Sequence, residues 1–343
     1  MSAGSAAQAA RSSPINSRLV TVEAVSAAIE SGKVMWLAAD EALLRQLPKG
    51  RWIGGSVPYF MAQDGGQISR DRVYVAELPP DIATRLQVRF YDTGSIHKIA
   101  KDGPDNGFTI LMMPGFTDIH LTYAQHAPEY EDMFIKPIAG WVTGMHMDDL
   151  GVVKPCVVNG VTGEVSTDKA LAMHVTLKSN KMATIGIVNT FTQGDGDTLE
   201  FPETGFDVTT CIVNGLERNF AEYVKELNVD TRLPLVANYS GTMINVSFYK
   251  VKEEEKKVSF VAPVFAGIKY KLAAPIDDFV NAFQSAIPKI DHDIAFSCNC
   301  VLNYLHSELE GKRTGHMTGP MTFGEIAYQL LNQTLVYVLV EDL

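Results

Sequence analysis

DHDIAFSCNCVLNYLHSELEGKRTGHMTGPMTFGEIAYQLLNQTLVYVLV, residues 291–340, is the stretch that decides the fold. Asp293 to Ser297 reads as a short buried strand. A helical pattern follows at once, with Val301, Leu302, Leu305 and Leu309 on one face. Asn299 occupies the N-cap position, which puts Cys300 in the first turn near the positive end of the helix dipole. A polar loop with Gly311, Gly315, Gly319 and Pro320 leads to Thr322-Phe323-Gly324-Glu325. Leu335 to Val340 is a near-continuous apolar run, as expected of a strand covered on both faces. Strand, helix, loop and strand in this order predict a mixed α/β fold. A thiol pair at a strand-to-helix junction and a carboxylate beside a glycine turn would then face one pocket.

Working back from that stretch, Pro275 starts a helix with Ile276, Phe279, Val280, Phe283 and Ile287 as its buried stripe, and Pro288 ends it. Lys250–Lys257, KVKEEEKK, has the mixed charge of a solvated hairpin tip. From 152 to 272 strands dominate. Val152–Asn159, Leu171–Leu177, Ala183–Thr190, Phe206–Asn214, Leu235–Ala237, Met243–Tyr249 and Lys257–Val264 are rich in Val, Ile, Thr and Phe. Two of them close on Asn-Gly, at Asn159-Gly160 and Asn214-Gly215, a signature of type I′ turns. These are either unrelated turns or traces of a duplicated β-α unit, since Glu217–Leu227 reads as a helix.

The N-terminal part repeats the α/β theme. Residues 1–17 are rich in Ser and Ala and read as a tail. Thr21 caps a helix carrying Val22, Val25 and Ile29, Val34–Ala38 is a strand, and Asp40–Leu47 is a short helix stopped by Pro48. A turn at Ile53-Gly54-Gly55-Ser56 follows. Strands are expected at Arg72–Leu78, Leu86–Tyr91 and Phe108–Met113, and a helix at Thr117–Gln125. Proline, glycine and acidic residues cluster over 127–152, which suggests a boundary there. The expected architecture is layered mixed sheets flanked by helices, with an N-terminal domain over 18–150 packed on a C-terminal domain over 151–343.

The 343 residues are 46% hydrophobic and 20% charged with a net charge of −11, an ordinary balance for a globular chain. The negative charge argues against nucleic-acid and anionic-membrane partners. No apolar run of about 18 residues marks a membrane span, and no secretory signal opens the chain. Four cysteines do not make a disulfide framework, and a cytoplasmic setting is expected.

Several residues carry candidate chemistry. Cys298 and Cys300 share a face if the strand continues through them, and a helix start at Cys300 would lower its thiol pKa. That would suit a nucleophile, a redox switch or a soft-metal ligand, while buried free cysteine often simply packs. Glu325 at the start of a helical turn is explained by the dipole, or it binds a ligand or acts as a base. Ser56 after Gly54-Gly55 would let backbone amides approach a ligand, although no P-loop or nucleophile elbow is present. The histidines are scattered, His146, His174 and His316 among them, and no zinc or haem attachment spacing occurs. Asp148-Asp149 and Asp195/Asp197 lack the calcium-loop ladder.

FSCNC at a strand end, a Gly-rich loop, FGEI and a terminal NQTLVYVL strand together resemble the C-terminal half of the FIST family. Ile53-Gly54-Gly55-Ser56 followed by Val73–Leu78 is similar to the Gly-Gly turn of that family's N-terminal half. The resemblance implies an intracellular sensory domain that binds a small molecule, with no cofactor expected. As no kinase, cyclase or methyl-accepting helix is read in the sequence, it would signal to a partner protein in trans or serve as a stand-alone binder. The ligand site it implies comprises Gly54, Gly55, Ser56, Cys298, Asn299, Cys300, Phe323, Gly324 and Glu325, closed by the 310–322 loop. Some FIST relatives bind haem and sense nitric oxide, which leaves haem as a minority expectation. The chain departs from the family where Asn299-Cys300 replaces the usual Gly-Arg after the cysteine, so a contact from that arginine would be missing. The alternatives from other classes are a hydrolase or acyl-transfer enzyme using Cys298 or Cys300 with a histidine base, and a purely structural assembly subunit without a ligand pocket.

Overall fold

The computed structural model describes residues 17–239, 241–290 and 293–343. All of the expected tail but Ser17 lies outside the described residues. Thr21 caps the helix Val22–Glu30, its Oγ1 accepting from the Ala24 N–H at 3.4 Å. The strands Val34–Ala39, Val73–Leu78, Ala83–Tyr91, Gly107–Pro114, Ala170–Leu177, Lys181–Val188 and Leu335–Asp342 fall where the apolar patterns place them.

The fold is mixed α/β, with five sheets and a few short helices. Three six-stranded sheets form the body. The first runs Arg18–Val20, Val73–Leu78, Val34–Ala39, Trp52–Ser56, Val157–Asn159, Glu164–Ser166. The second runs Gln329–Leu331, Glu325–Ala327, Ile138–Thr143, Gly107–Pro114, Ala170–Leu177, Ala83–Tyr91. The third runs Lys181–Val188, Leu335–Asp342, Asp293–Cys300, Gly319–Thr322, Tyr59–Ala62, Gly65–Ile68. Each draws strands from both sides of residue 150, so the expected halves interleave within common sheets. One core containing Trp36, Ile53, Phe108, Ile110, Phe296, Cys298 and Val336 joins all three.

Most pairings are antiparallel, and three are parallel: Val34–Ala39 with Trp52–Ser56, Gly107–Pro114 with Ile138–Thr143, and Asp293–Cys300 with Gly319–Thr322. A parallel pair needs a crossover, and in each case a helix supplies it. These helices are Glu41–Leu44, Asp118–His126 and Val301–His306.

Residues 199–272 build a smaller all-β unit from a six-stranded and a three-stranded sheet, with the helix Phe220–Glu226. Its separate core stacks Phe201, Phe220, Phe248, Phe260 and Tyr270. Asn214 and Gly215 have φ of 49° and 86° and link Val213 to its partner Leu216, the two-residue type I′ turn expected. Asn159-Gly160 is different: Asn159 pairs with Glu164, and its Oδ1 accepts from the Val161 and Thr162 N–H groups across a longer loop. The two Asn-Gly sites are thus not copies of one turn. Lys252 pairs with Lys257, making 253–256 the hairpin tip that the charge run announces.

Several local expectations are corrected. Gly54-Gly55-Ser56 is not a turn but lies within the buried strand Trp52–Ser56. The strand Asp293–Cys300 runs three residues further than its pattern suggests, so Cys300, not Asn299, is the N-cap residue of the next helix. Glu325 begins a strand, not a helical turn. Residues 319–322, expected in a loop, form a strand. The helix predicted from Pro275 starts at Phe279, capped by Asp278, and Leu216–Asn219 is strand before the helix resumes at Phe220. Among the described residues no helix is long and apolar enough to cross a membrane.

Candidate functional site

The strand Asp293–Cys300 carries Cys298 and Cys300 on one face, and the start of Glu325–Ala327 brings Glu325 against them. Glu325 is 0% and Cys298 1% exposed. The Glu325 carboxyl accepts from the Thr334 N–H at 3.2 Å and the Thr334 hydroxyl at 3.0 Å, and its Oε1 lies 3.1 Å from the Thr322 Oγ1. The Cys300 thiol lies beside it. Burial pushes the carboxyl up to about 8 in spite of these bonds. Burial, with the Glu325 carboxyl beside them, raises both thiols well above their ordinary value. This reverses the lowering expected of Cys300 at a helix start. A six-residue helix whose N-cap side chain makes no capping bond offers little positive potential to oppose that desolvation. Cys298 spends its S–H on the Gly140 carbonyl, 3.4 Å away.

Cys298, Cys300 and Glu325 thus meet as the sequence suggests, but the space between them is core. The other singled-out residues pack around it. Asn299 Oδ1 accepts from the Cys300 N–H at 2.7 Å and from Asn303 Nδ2 at 3.0 Å, tying strand to helix. Gly324 accepts from the Val142 N–H at 2.8 Å. Gly54, Gly55 and Ser56 lie in the first sheet, where Gly55 packs against Trp141 and Thr143. A Cβ at Gly55 would come within 2.5 Å of Thr143 Cγ2, so the bare backbone there serves packing. Ser56 Oγ donates to the Gly144 carbonyl at 2.8 Å and accepts from the Cys156 N–H at 3.0 Å.

One layer outward lies a cavity of about 420 Å³ with largely apolar walls, including Cys300, Val301, Leu302, Phe323, Phe206 and Phe260. Of the nine residues singled out from sequence, Cys300 and Phe323 line it, and the other seven do not. The 310–322 loop takes no part in its wall.

The position follows from the topology. Cys300 ends one parallel strand, Phe323 directly follows its partner, Gly115 and Phe116 follow Gly107–Pro114, and Val142 lies near the end of Ile138–Thr143. The carboxyl ends of two parallel pairs, one in the second sheet and one in the third, thus open onto one hollow. Gly144 permits this closeness, because a Cβ there would come within 1.9 Å of the Phe323 ring. The opposite wall, Phe206, Asp207, Tyr249, Lys252 and Ser259–Val261, belongs to the small β unit. The cavity therefore straddles the seam between body and small unit. Phe116 and Tyr249, 51% and 50% exposed, face each other across that seam with ring centroids 6.4 Å apart. Phe116 is held at φ 61°, a rare conformation for a bulky residue.

His120 on the helix Asp118–His126 is a polar side chain buried in this wall. Its Nδ1 accepts from the Phe116 N–H at 3.3 Å, its ring packs against Phe206, and burial pushes its pKa down to about 4. Its Nε2 has no hydrogen-bond partner, and neither has Oδ1 of Asn332, also in the wall. Neither His120, Phe116 nor Asn332 figures in the sequence reading. The signal for the first two is the buried strand ending at Pro114-Gly115 before a helix. By contrast His174 is satisfied, bonded to Tyr91 OH and Thr109 Oγ1, and His146 stacks on Tyr59. Asp197 is engaged by Tyr223 and Asn214.

The chain belongs to DUF6976, a family of unknown function, which matches residues 20–341. No curated protein matches it.

Proposed function

We propose that this member of DUF6976 is a cytoplasmic sensory protein that binds a small molecule in the seam cavity and signals to a partner protein in trans, in the manner its resemblance to FIST domains implies. One observation carries the reading: an apolar hollow at the carboxyl ends of the parallel strands whose wall holds a buried, unpartnered imidazole. Its volume of about 420 Å³ falls in the range of small-molecule sites, roughly 300–1,000 Å³. Because the walls come from both the body and the small β unit, which share the packing around Phe206 and Ala262, an occupant would bear on the contact between them, and a partner could read that change. Four unpaired cysteines suit a reducing compartment, and the net charge of −11 suits neither nucleic acid nor anionic membrane as partner.

The rival readings fit the cavity less well. A cysteine-dependent hydrolase needs an accessible thiolate and a base, whereas the Cys300 thiol is raised and the His120 Nδ1 lone pair is occupied by the Phe116 N–H. Haem ligation through His120 Nε2 would need the ring proton on Nδ1, where a donor already points, so this imidazole does not fit an axial ligand.

A thermal-shift screen of neutral organic compounds, amino acids and organic acids tests the reading, with Leu302→Trp as control. Leu302 lines the cavity and is half-buried, so the larger ring can fill the hollow without entering the core. Compounds that raise the melting temperature of the wild type should lose that effect in the variant. Equal shifts in both proteins would place the ligand elsewhere.

A further inference from the structure

Two residues of the cavity wall, His120 and Asn332, each hold a buried polar atom whose hydrogen-bonding role is fixed by its neighbours. His120 is 5% exposed, and because its Nδ1 accepts from the Phe116 N–H, the ring proton resides on Nε2, which has no partner. Asn332 is fully buried. Its Nδ2 donates to the Leu331 carbonyl at 3.0 Å and its own carbonyl accepts from Asn245 Nδ2, which leaves Oδ1 as an unused acceptor. One donor and one acceptor therefore stand idle among aromatic and aliphatic side chains, and buried polar groups are ordinarily paired. The charged groups of the wall are otherwise engaged. Asp207 accepts a hydrogen bond from Ser259, and Lys252 lies 3.9 Å from Glu255. No buried cation among the described lining residues would compensate a carboxylate drawn inside.

We propose that the ligand is an uncharged, mainly apolar molecule with a ring-sized body, carrying a carbonyl-type acceptor for the His120 Nε2–H and a hydroxyl-type donor for Asn332 Oδ1. Neutral hydroxy-ketones and phenolic carbonyl compounds belong to this class. The assignment rests on the cavity being the sensory site, and the phenyl rings of Phe116, Phe206 and Phe323 supply the flat apolar contacts such a body needs. Specificity arises from the polar pair, because a ligand that fills the space but lacks these groups leaves both atoms unpaired.

Calorimetric titration of the full chain with three probes of similar size tests the class. 4-Hydroxyacetophenone carries both polar groups and no charge, 4-hydroxybenzoate adds a carboxylate charge, and ethylbenzene has neither polar group. The hydroxy-ketone should bind at least about tenfold tighter than either other probe. His120→Phe, which keeps a ring of similar size, should abolish its advantage over ethylbenzene. Ethylbenzene binding as well as the hydroxy-ketone, or the benzoate binding tighter, overturns the class while the cavity stands as a site. If none of the three binds, both the class and the cavity fall. Should the variant fail to fold, the ¹⁵N signal of His120 Nε2 in the wild type decides: it should move with the hydroxy-ketone and not with ethylbenzene, and an unmoved signal overturns the assignment.

Discussion

Thr322 has one hydroxyl proton and three oxygens within reach, the Asn299 and Gly324 carbonyls at 3.2 Å each and Glu325 Oε1 at 3.1 Å. If Glu325 is protonated, its own proton goes to Thr322 Oγ1 and the hydroxyl serves a carbonyl. The geometry and the desolvation both favour the neutral acid, consistent with a pKa near 8. The sign of the consequence follows. The unfolded chain ionises this group near its ordinary value of 4.5, whereas the folded chain holds the proton to about 8. Stability from this group is complete below the unfolded value and is lost as pH rises through that window, by up to about 1.4 kcal/mol per pH unit. Glu325→Gln should flatten that fall in urea titrations run across the window; an unchanged slope would mean the carboxyl is already ionised in the fold. The thiols give a second outcome. Cys298 and Cys300 should resist iodoacetamide in the native protein at mildly alkaline pH and become labelled as denaturant opens the fold. At this scale the sequence identified the groups that meet, because the i, i+2 spacing of the cysteines and the FGEI turn are local. It did not reveal that Gly140, on a distant strand, and Thr334, turned back from nine residues on, fill the remaining space.

Strand ends position the candidate site. In the third crossover, from Asp293–Cys300 through Val301–His306 to Gly319–Thr322, the first strand and the helix are legible in apolar periodicity, while the second strand reads as loop. The boundary between strand and helix is not legible. Helix signals placed the cap at Asn299, yet backbone pairing of Asn299 with Leu335 and Met321 extends the strand. Gly54-Gly55 looked like a turn for a similar reason. Glycine marks either a bend or a close approach, and the deciding partner, the Trp141–Thr143 segment, lies far along the chain. The Phe116 element yields its own prediction. Phe116→Gly removes both the positive-φ strain and one ring of the exposed pair over the seam, so the two effects oppose each other in stability. The expected outcome is a change within about 1 kcal/mol with faster ligand entry in stopped-flow tryptophan fluorescence. Unchanged entry would show that the pair does not guard the mouth.

For the whole molecule, the sequence conveyed the fold class and the strand-rich stretch at 152–272, but not the interleaving of the chain's two halves. Sheet order depends on which edges pair, as when Gly319–Thr322 joins Tyr59–Ala62, and no local pattern encodes such a choice. The small β unit likewise read as a run of strands rather than as the far wall of a cavity. A second hollow, the polar cleft of about 650 Å³ between Asp230, Asp278, His306 and Lys312, lies beyond the other end of the Val301–His306 helix and is the natural competitor for any ligand. Chemical-shift mapping of the backbone amides during titration with 4-hydroxyacetophenone separates the two. Shifts should concentrate at Phe116–Leu121, Cys300–Leu305 and Asn332 and cross the seam to Phe206 and Val261. Shifts confined to Asp230, Asp278 and Lys312, or spread without focus, would contradict ligand binding in the seam cavity.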